Sequence, residues 1–225
     1  MTSRPDDIIK GIKAIFFDYD DTLANSIQVK WAHHKHVAKT HYGKTLSDDE
    51  IRKHWTNPFS KLVGLLYGDE NLERAMENNL AHEAEFPKTL FTDTVHILEQ
   101  LHSNGLLTGI VTSTSRRSLT QDLARYKLPD NLVDYIQTEN DTSYHKPDPR
   151  VFEPLLKYLA DQKIESSQVL YVGDGLHDMK AALEAGFNFI GVTTGLVSAQ
   201  QFTEAGVKSV AKLADIQDLI SMHEH

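Results

Sequence analysis

Ile12-Lys13-Ala14-Ile15-Phe16-Phe17-Asp18-Tyr19-Asp20-Asp21-Thr22-Leu23 is an apolar run that ends abruptly in a cluster of carboxylates. Burying the run is favourable, whereas placing acids at its end is costly unless a cation or proton compensates them. A short run of this kind reads as a buried parallel strand. Open α/β sheets bind ligands just beyond the carboxyl ends of such strands, where Asp18 and Asp20 stand.

Outward from this stretch the pattern changes twice. Residues 24–87 carry almost no strand-like run and read as helices over Ser26–Tyr42, from a capping box at Ser47-Asp48-Asp49-Glu50, over Phe59–Tyr67 and over Asn71–Glu85. Such a segment is small for an independent core, so it is expected to be a helical cap leaning on a larger domain. Pro87, Thr92 and Asp93 mark the return. From Val95 onward helices alternate with apolar runs at 106–111, 133–137, 169–172 and 187–192, with Gly186 placed to end a helix. Helices near Gln200 and Asp215 finish the chain. The expectation is an α/β fold: a doubly wound, Rossmann-like parallel sheet made by residues 1–23 and 88–225, with the helical cap inserted at 24–87.

Composition narrows the function classes. The 225 residues carry a formal net charge of −9 and no basic block, which argues against nucleic acid as a partner. There are no cysteines, so disulfides, thiolate metal sites and cysteine nucleophiles are excluded. No apolar span is long enough to cross a membrane, and Met1-Thr2-Ser3-Arg4-Pro5-Asp6-Asp7 lacks a signal-peptide core. A cytoplasmic protein without membrane association, monomeric or homodimeric, is the expectation.

Three strand ends carry polar chemistry: Asp18 with Asp20, Thr112 with Ser113, and Asp174; Lys146 lies in the turn-rich Lys146-Pro147-Asp148-Pro149. In a parallel sheet these converge on one edge and supply a nucleophile, a hard-cation site, hydroxyl and amide donors and a fixed positive charge. Phosphoryl transfer requires those parts. Asp18 is placed to attack phosphorus and form an aspartyl-phosphate, and Asp20 to protonate the leaving oxygen and later take a proton from water. Mg²⁺ between Asp18, Asp174 and a phosphate oxygen would offset the repulsion of anions. Asp178, one helical turn past Asp174, is placed to hold a metal-bound water or Lys146. Thr112 and the Ser113 amide are placed to hold phosphate oxygens.

Other motifs fall short. Gly173-Asp174-Gly175-Leu176-His177-Asp178 lacks the last glycine of a dinucleotide fingerprint, and Gly43-Lys44-Thr45 lacks the first glycine and the strand of a P-loop. The Asp18–Asp21 cluster fails as a calcium loop at Leu23 and Val29. The run His33, His34, His36, His41 is weighed as a zinc site against a solvated cap surface, and the surface is favoured. His223 and His225 are expected in a disordered tail. Trp31, Trp55, Phe59 and Tyr67 read as cap core before pocket lining. Arg116 and Arg117 read equally as anion contacts or as a solvated helix start.

With the ordered set Asp18-Tyr19-Asp20-Asp21-Thr22, Thr112, Lys146 and Gly173-Asp174 with Asp178, the chain resembles the haloacid dehalogenase-like hydrolase superfamily, in its capped phosphatase branch (phosphoglycolate phosphatase and phosphoglucomutase-like). The resemblance runs from Ile12 to about Gly195. It implies a cap inserted after the first motif and an Mg²⁺-dependent phosphatase acting on a small phosphorylated metabolite. By it Asp18 is the nucleophile, and Asp20 is the acid/base, its backbone carbonyl also ligating Mg²⁺. Asp174 is a further metal ligand, and Lys146 neutralises the phosphate. Many members have glycine at Asp21 and asparagine at Ser113. Dehalogenases and phosphonatases lack the second acid, present here as Asp20. Sugar phosphomutases often have valine at Thr22 and histidine at Lys30, which favours phosphatase over mutase. A non-catalytic phospho-ligand-binding module is the remaining alternative, and it leaves Asp20 without a purpose. Specificity is expected from cap residues such as Lys30, Arg52, His54 and Lys61.

Overall fold

The computed structural model describes residues 11–55 and 57–216, the Asp130 side chain excepted. The N-terminal stretch compared with a signal peptide, and His223 and His225, lie outside them. The strands are β1 (Ala14–Phe17), β2 (Ala24–Asn25), β3 (Thr89–Leu90), β4 (Leu107–Val111), β5 (Tyr135–Gln137), β6 (Val169–Gly173), β7 (Asn188–Val192) and β8 (Ser209–Val210). The helices are α1 (Ile27–Tyr42), α2 (Asp48–His54), α3 (Phe59–Tyr67), α4 (Leu72–Leu80), α5 (Thr94–Ser103), α6 (Arg116–Tyr126), α7 (Glu153–Asp161), α8 (Leu176–Glu184) and α9 (Ala199–Glu204). The chain divides into two compact units, Ser26–Thr89 and the sequence on either side of it.

The larger unit is a six-stranded parallel sheet in the order β5-β4-β1-β6-β7-β8. From β1 the chain first builds toward β5, then returns to add β6, β7 and β8 on the other side, so β1 and its two neighbours form the topological switch point. Strand alternation sorts the core into two layers. Ile15, Phe17, Ile110, Leu170, Val172, Ile190 and Val192 face α5 through Ile97, Leu98 and Leu101. Ala14, Phe16, Val169, Tyr171 and Phe189 belong to the other cluster, with Leu155 and Leu159 of α7 and Ala181 and Ala182 of α8. Both faces of the sheet are covered, which is why its strands read as unbroken apolar runs. Gly109, paired with Phe16, leaves room for that ring: a Cβ there would lie 2.4 Å from the ring and 2.8 Å from the Tyr135 carbonyl oxygen.

The smaller unit packs α1–α4 around Trp31, Val37, Ala38, Ile51, Leu62, Val63, Leu66, Tyr67 and Ala75. Its α2 starts at the expected capping box: Ser47 Oγ accepts from the Glu50 amide at 3.2 Å and Glu50 Oε2 from the Ser47 amide at 2.8 Å. The helix expected over Asn71–Glu85 is shorter. Asn71 caps α4, which stops at Leu80, and a separate 3₁₀ turn follows at Glu83–Glu85. Two histidines expected at a solvated surface are instead buried, with His33 Nε2 2.9 Å from the Asn79 carbonyl oxygen and His34 Nδ1 2.9 Å from the Tyr67 hydroxyl. Burial lowers the pKa of both, that of His34 to about 4.

Candidate active site

Asp18 follows the last residue of β1, and its amide still donates to the Val172 carbonyl of β6 at 2.9 Å. The chain then turns sharply. The Tyr19 carbonyl accepts from the amides of Leu23 and Ala24, each at 3.0 Å, and the Asp21 amide donates to Ala24 O at 2.7 Å. Asp21 sits in the left-handed region at φ 57°, which only glycine and, less readily, asparagine or aspartate occupy without large cost. Its carbonyl accepts from the Thr194 hydroxyl. Tyr19 anchors the turn from inside: its buried hydroxyl donates to Asp122 Oδ2 on α6 at 2.9 Å.

Lys146 reaches this turn from the loop after β5. Its Nζ lies 2.7 Å from Asp18 Oδ1, 2.7 Å from Asp178 Oδ1 and 3.2 Å from the Val111 carbonyl oxygen, with the side chain almost fully enclosed. Burial opposes its charge, but Asp178 and Asp18 outweigh burial and hold its pKa well above the ordinary lysine value. Tyr171 supports it from below: its ring centroid is 5.1 Å from Nζ and its hydroxyl donates to the same Val111 carbonyl at 2.7 Å. Asp178, on the first turn of α8, is fully buried, and its Oδ2 accepts from the Gly175 amide at 3.1 Å.

Asp18, Asp174 and Asp178 each bring a carboxylate oxygen within 4.8 Å of the others. Burial raises the Asp18 pKa to about 6, with Asp178 and Asp20 adding to the shift and Lys146 opposing it. Burial also raises Asp174, to about 9, reinforced by Asp18, Asp178 and Asp21. Three carboxylates against one ammonium leave two formal negative charges when all are ionised. A hard divalent cation matches both that charge and the all-oxygen donor set, so the residues fit Mg²⁺. Asp20 is not among these clustered oxygens. Its Oδ2 accepts from the Thr114 hydroxyl at 2.5 Å, which fixes the orientation of the carboxyl group.

Thr112, one residue past β4, is buried, and its Oγ1 accepts from the Thr114 amide at 3.0 Å, leaving the hydroxyl proton to donate elsewhere. Ser113 is exposed at the same edge. Arg116 is held by Asp141 at 2.5 Å, whereas Arg117 is exposed. In the smaller unit Arg52 pairs with Asp49 at 3.3 Å, and its guanidinium stands 5.3 Å from the Trp31 ring centroid. Sequence reasoning missed Thr114, Tyr171 and Gly195. A Cβ on Gly195 would stand 1.8 Å from Asp174 Oδ2, so only glycine leaves that carboxylate where it is. The hydroxyl-rich Thr112-Ser113-Thr114-Ser115 was a visible signal for Thr114. Nothing local marked Gly195.

A relative named pyrophosphatase PpaX from Anoxybacillus flavithermus is 30% identical over 187 residues, covering 81% of this chain and 84% of its own. A Clostridium perfringens protein also carrying the name PpaX is 30% identical over 216 residues, covering 93% of this chain and 97% of its own. The solved structure of a HAD-superfamily hydrolase from Geobacter sulfurreducens superposes with a TM-score of 0.73 at 23% identity, covering 93% of this chain and 97% of that one. The family profile described as haloacid dehalogenase-like hydrolase matches residues 15–192, which include Asp18, Asp20, Thr112, Thr114, Lys146, Asp174 and Asp178. The chain therefore belongs to the haloacid dehalogenase-like hydrolase family.

Proposed function

We propose that this protein is an Mg²⁺-dependent phosphatase that removes a phosphoryl group from a small metabolite through an aspartyl-phosphate on Asp18. The observation that carries this reading is the Asp18 carboxylate at the end of β1, held by Lys146 at 2.7 Å. In the first step an Asp18 oxygen bonds to phosphorus as the bond to the leaving oxygen breaks. Asp20, oriented by Thr114, gives that oxygen a proton. In the second step Asp20 takes a proton from water, the water oxygen bonds to phosphorus, and the Asp18–phosphorus bond breaks to release inorganic phosphate. Thr112 and the Ser113 amide donate to the phosphoryl oxygens, and a positioned donor of this kind is worth roughly 10²–10³ in rate. Asp18, Asp174 and the backbone carbonyl of Asp20 would hold Mg²⁺, with Asp178 behind them, and the ion would supply positive charge that lets two anions approach.

Relatives named pyrophosphatase put inorganic pyrophosphate among the first substrates to test, beside alkyl and sugar phosphates. The test is phosphate release across such a panel with Mg²⁺, using Asp18→Asn as control. That variant keeps the shape of the side chain and removes the anionic nucleophile, so release should fall to background. A wild-type protein that releases phosphate from none of these compounds overturns the proposal. Full activity in Asp18→Asn overturns the nucleophile.

A further inference from the structure

The smaller unit holds a second group of metal-type ligands, made only of its own residues. His36 lies on α1, while His82 and Glu85 lie in the turn after α4. Each of the three brings a ligand atom within 4.8 Å of the other two. Glu85 Oε1 is 2.7 Å from His82 Nδ1, and Glu85 Oε2 is 3.8 Å from His36 Nε2. Tetrahedral zinc with bonds of about 2.0–2.1 Å separates its ligand atoms by about 3.3 Å, so these spacings bracket what an ion needs. The outer nitrogen of His82 is also engaged: its Nε2 faces His41 Nε2 at 2.9 Å. Metal-binding imidazoles are held in this way, with the far ring nitrogen fixed by a hydrogen bond that sets the tautomer. His36 Nε2 has the Thr40 hydroxyl at 3.4 Å as its other neighbour, and the Phe86 ring lies 5.4 Å from the His36 ring.

We propose that His36, His82 and Glu85 bind a divalent transition-metal ion of the zinc type, with His41 orienting His82. Two imidazoles and a carboxylate select zinc, cobalt or nickel over magnesium. The site therefore differs in chemistry from the all-oxygen group around Asp18. An ion there would staple α1 to the turn after α4 and stabilise the unit. Without an ion the same atoms form a hydrogen-bonded relay, with His41 Nε2–H donating to His82 Nε2 and His82 Nδ1–H to Glu85.

The experiment uses the full chain with saturating Mg²⁺, which occupies the carboxylate group, and Co²⁺ as a spectroscopic probe displaced by Zn²⁺. The expected result is about one Co²⁺ per chain, with visible ligand-field bands and a rise in melting temperature. Affinity should be at least about tenfold weaker in His36→Gln and in Glu85→Gln. The His36 and Glu85 side chains are 38% and 56% exposed, so the metal-free variants should match the wild type in circular dichroism. Absence of Co²⁺ binding in excess Mg²⁺ overturns the proposal and leaves a hydrogen-bonded relay only. Binding unchanged in both variants also overturns it, by placing the ion on other ligands.

Discussion

At the residue scale, Asp21 and Gly195 show how closely the backbone is fitted around the carboxylates. Asp21 occupies φ 57°, where the family often has glycine, and it adds to the negative field that raises Asp174. Two substitutions separate these effects. Asp21→Gly relieves the backbone and should raise stability in EDTA by about 1 kcal/mol; Asp21→Asn keeps the conformation and should raise it less. Both remove a charge near the metal-type oxygens, so both should weaken Mg²⁺ binding by a few-fold, measured as the Mg²⁺ concentration for half-maximal phosphate release. An equal stability gain in the two variants would assign the cost to charge rather than to φ. At Gly195 the argument is steric. Gly195→Ala puts a Cβ 1.8 Å from Asp174 Oδ2, and the carboxylate must move. The expected outcome is about tenfold lower kcat/KM with a raised Mg²⁺ requirement and a nearly unchanged melting temperature. A variant with wild-type kinetics would mean that Asp174 can shift without consequence.

At the scale of elements, the physics that made parts of the fold legible also explains what was missed. The central strands are covered on both faces, so β1, β4, β6 and β7 appear in the sequence as apolar runs, and the capping box named α2 directly. The strands β2, β3 and β8 are two residues each, too short to show any periodicity. The helix α4 ends at Leu80, short of the expected Glu85, where the residues around its end are drawn into tertiary contacts. Asn79 lends its carbonyl oxygen to His33, and His82 meets His41. Site residues at strand ends were legible because a parallel sheet gathers strand ends. Contacts such as Thr114 to Asp20, or His82 to His41, depend on how loops and helices meet, which spacing does not encode. The turn between α3 and α4 gives a prediction of its own. Asp69 accepts from Arg74 Nη2 at 2.7 Å, Arg74 Nε at 2.9 Å, the Tyr42 hydroxyl at 2.9 Å and the Asn71 amide at 3.0 Å. The Arg74 hydrogen bonds, with help from Tyr42 and Asn71, lower its pKa to about 2. A depressed folded-state pKa means that the ionised form stabilises the fold above the unfolded carboxylate value of about 4, and that this contribution is lost as pH falls toward about 2. Asp69→Asn should therefore be less stable than wild type in urea titrations at pH 7, with the gap narrowing between pH 4 and pH 2. A gap that stays constant with pH would assign the loss to packing.

Across the whole molecule, a chain of net charge −9 gathers carboxylates at the centre of its sheet rather than dispersing them. Sheet topology requires this, because Asp18, Thr112 and Asp174 follow the three adjacent strands β1, β4 and β6. Burying these carboxylates together costs desolvation first and mutual repulsion second, which raises Asp174 to about 9 and works against folding, and sites of this kind trade stability for function. Asp174 exposes the trade most directly, since Lys146 already pairs with Asp18 and Asp178. Asp174→Asn keeps the shape and removes one carboxylate. In EDTA the variant should melt a few degrees above wild type, since about 1 kcal/mol shifts a chain of this size by roughly 2–4 °C. Added Mg²⁺ should raise the wild-type melting temperature as mass action requires and leave the variant almost unmoved. Phosphate release by the variant should fall by roughly 10²-fold or more. Scanning calorimetry with and without Mg²⁺, beside the activity assay, reads all three. A variant that melts below wild type in EDTA would show that Asp174 is held by favourable contacts, and that burying it among other acids does not cost the fold stability.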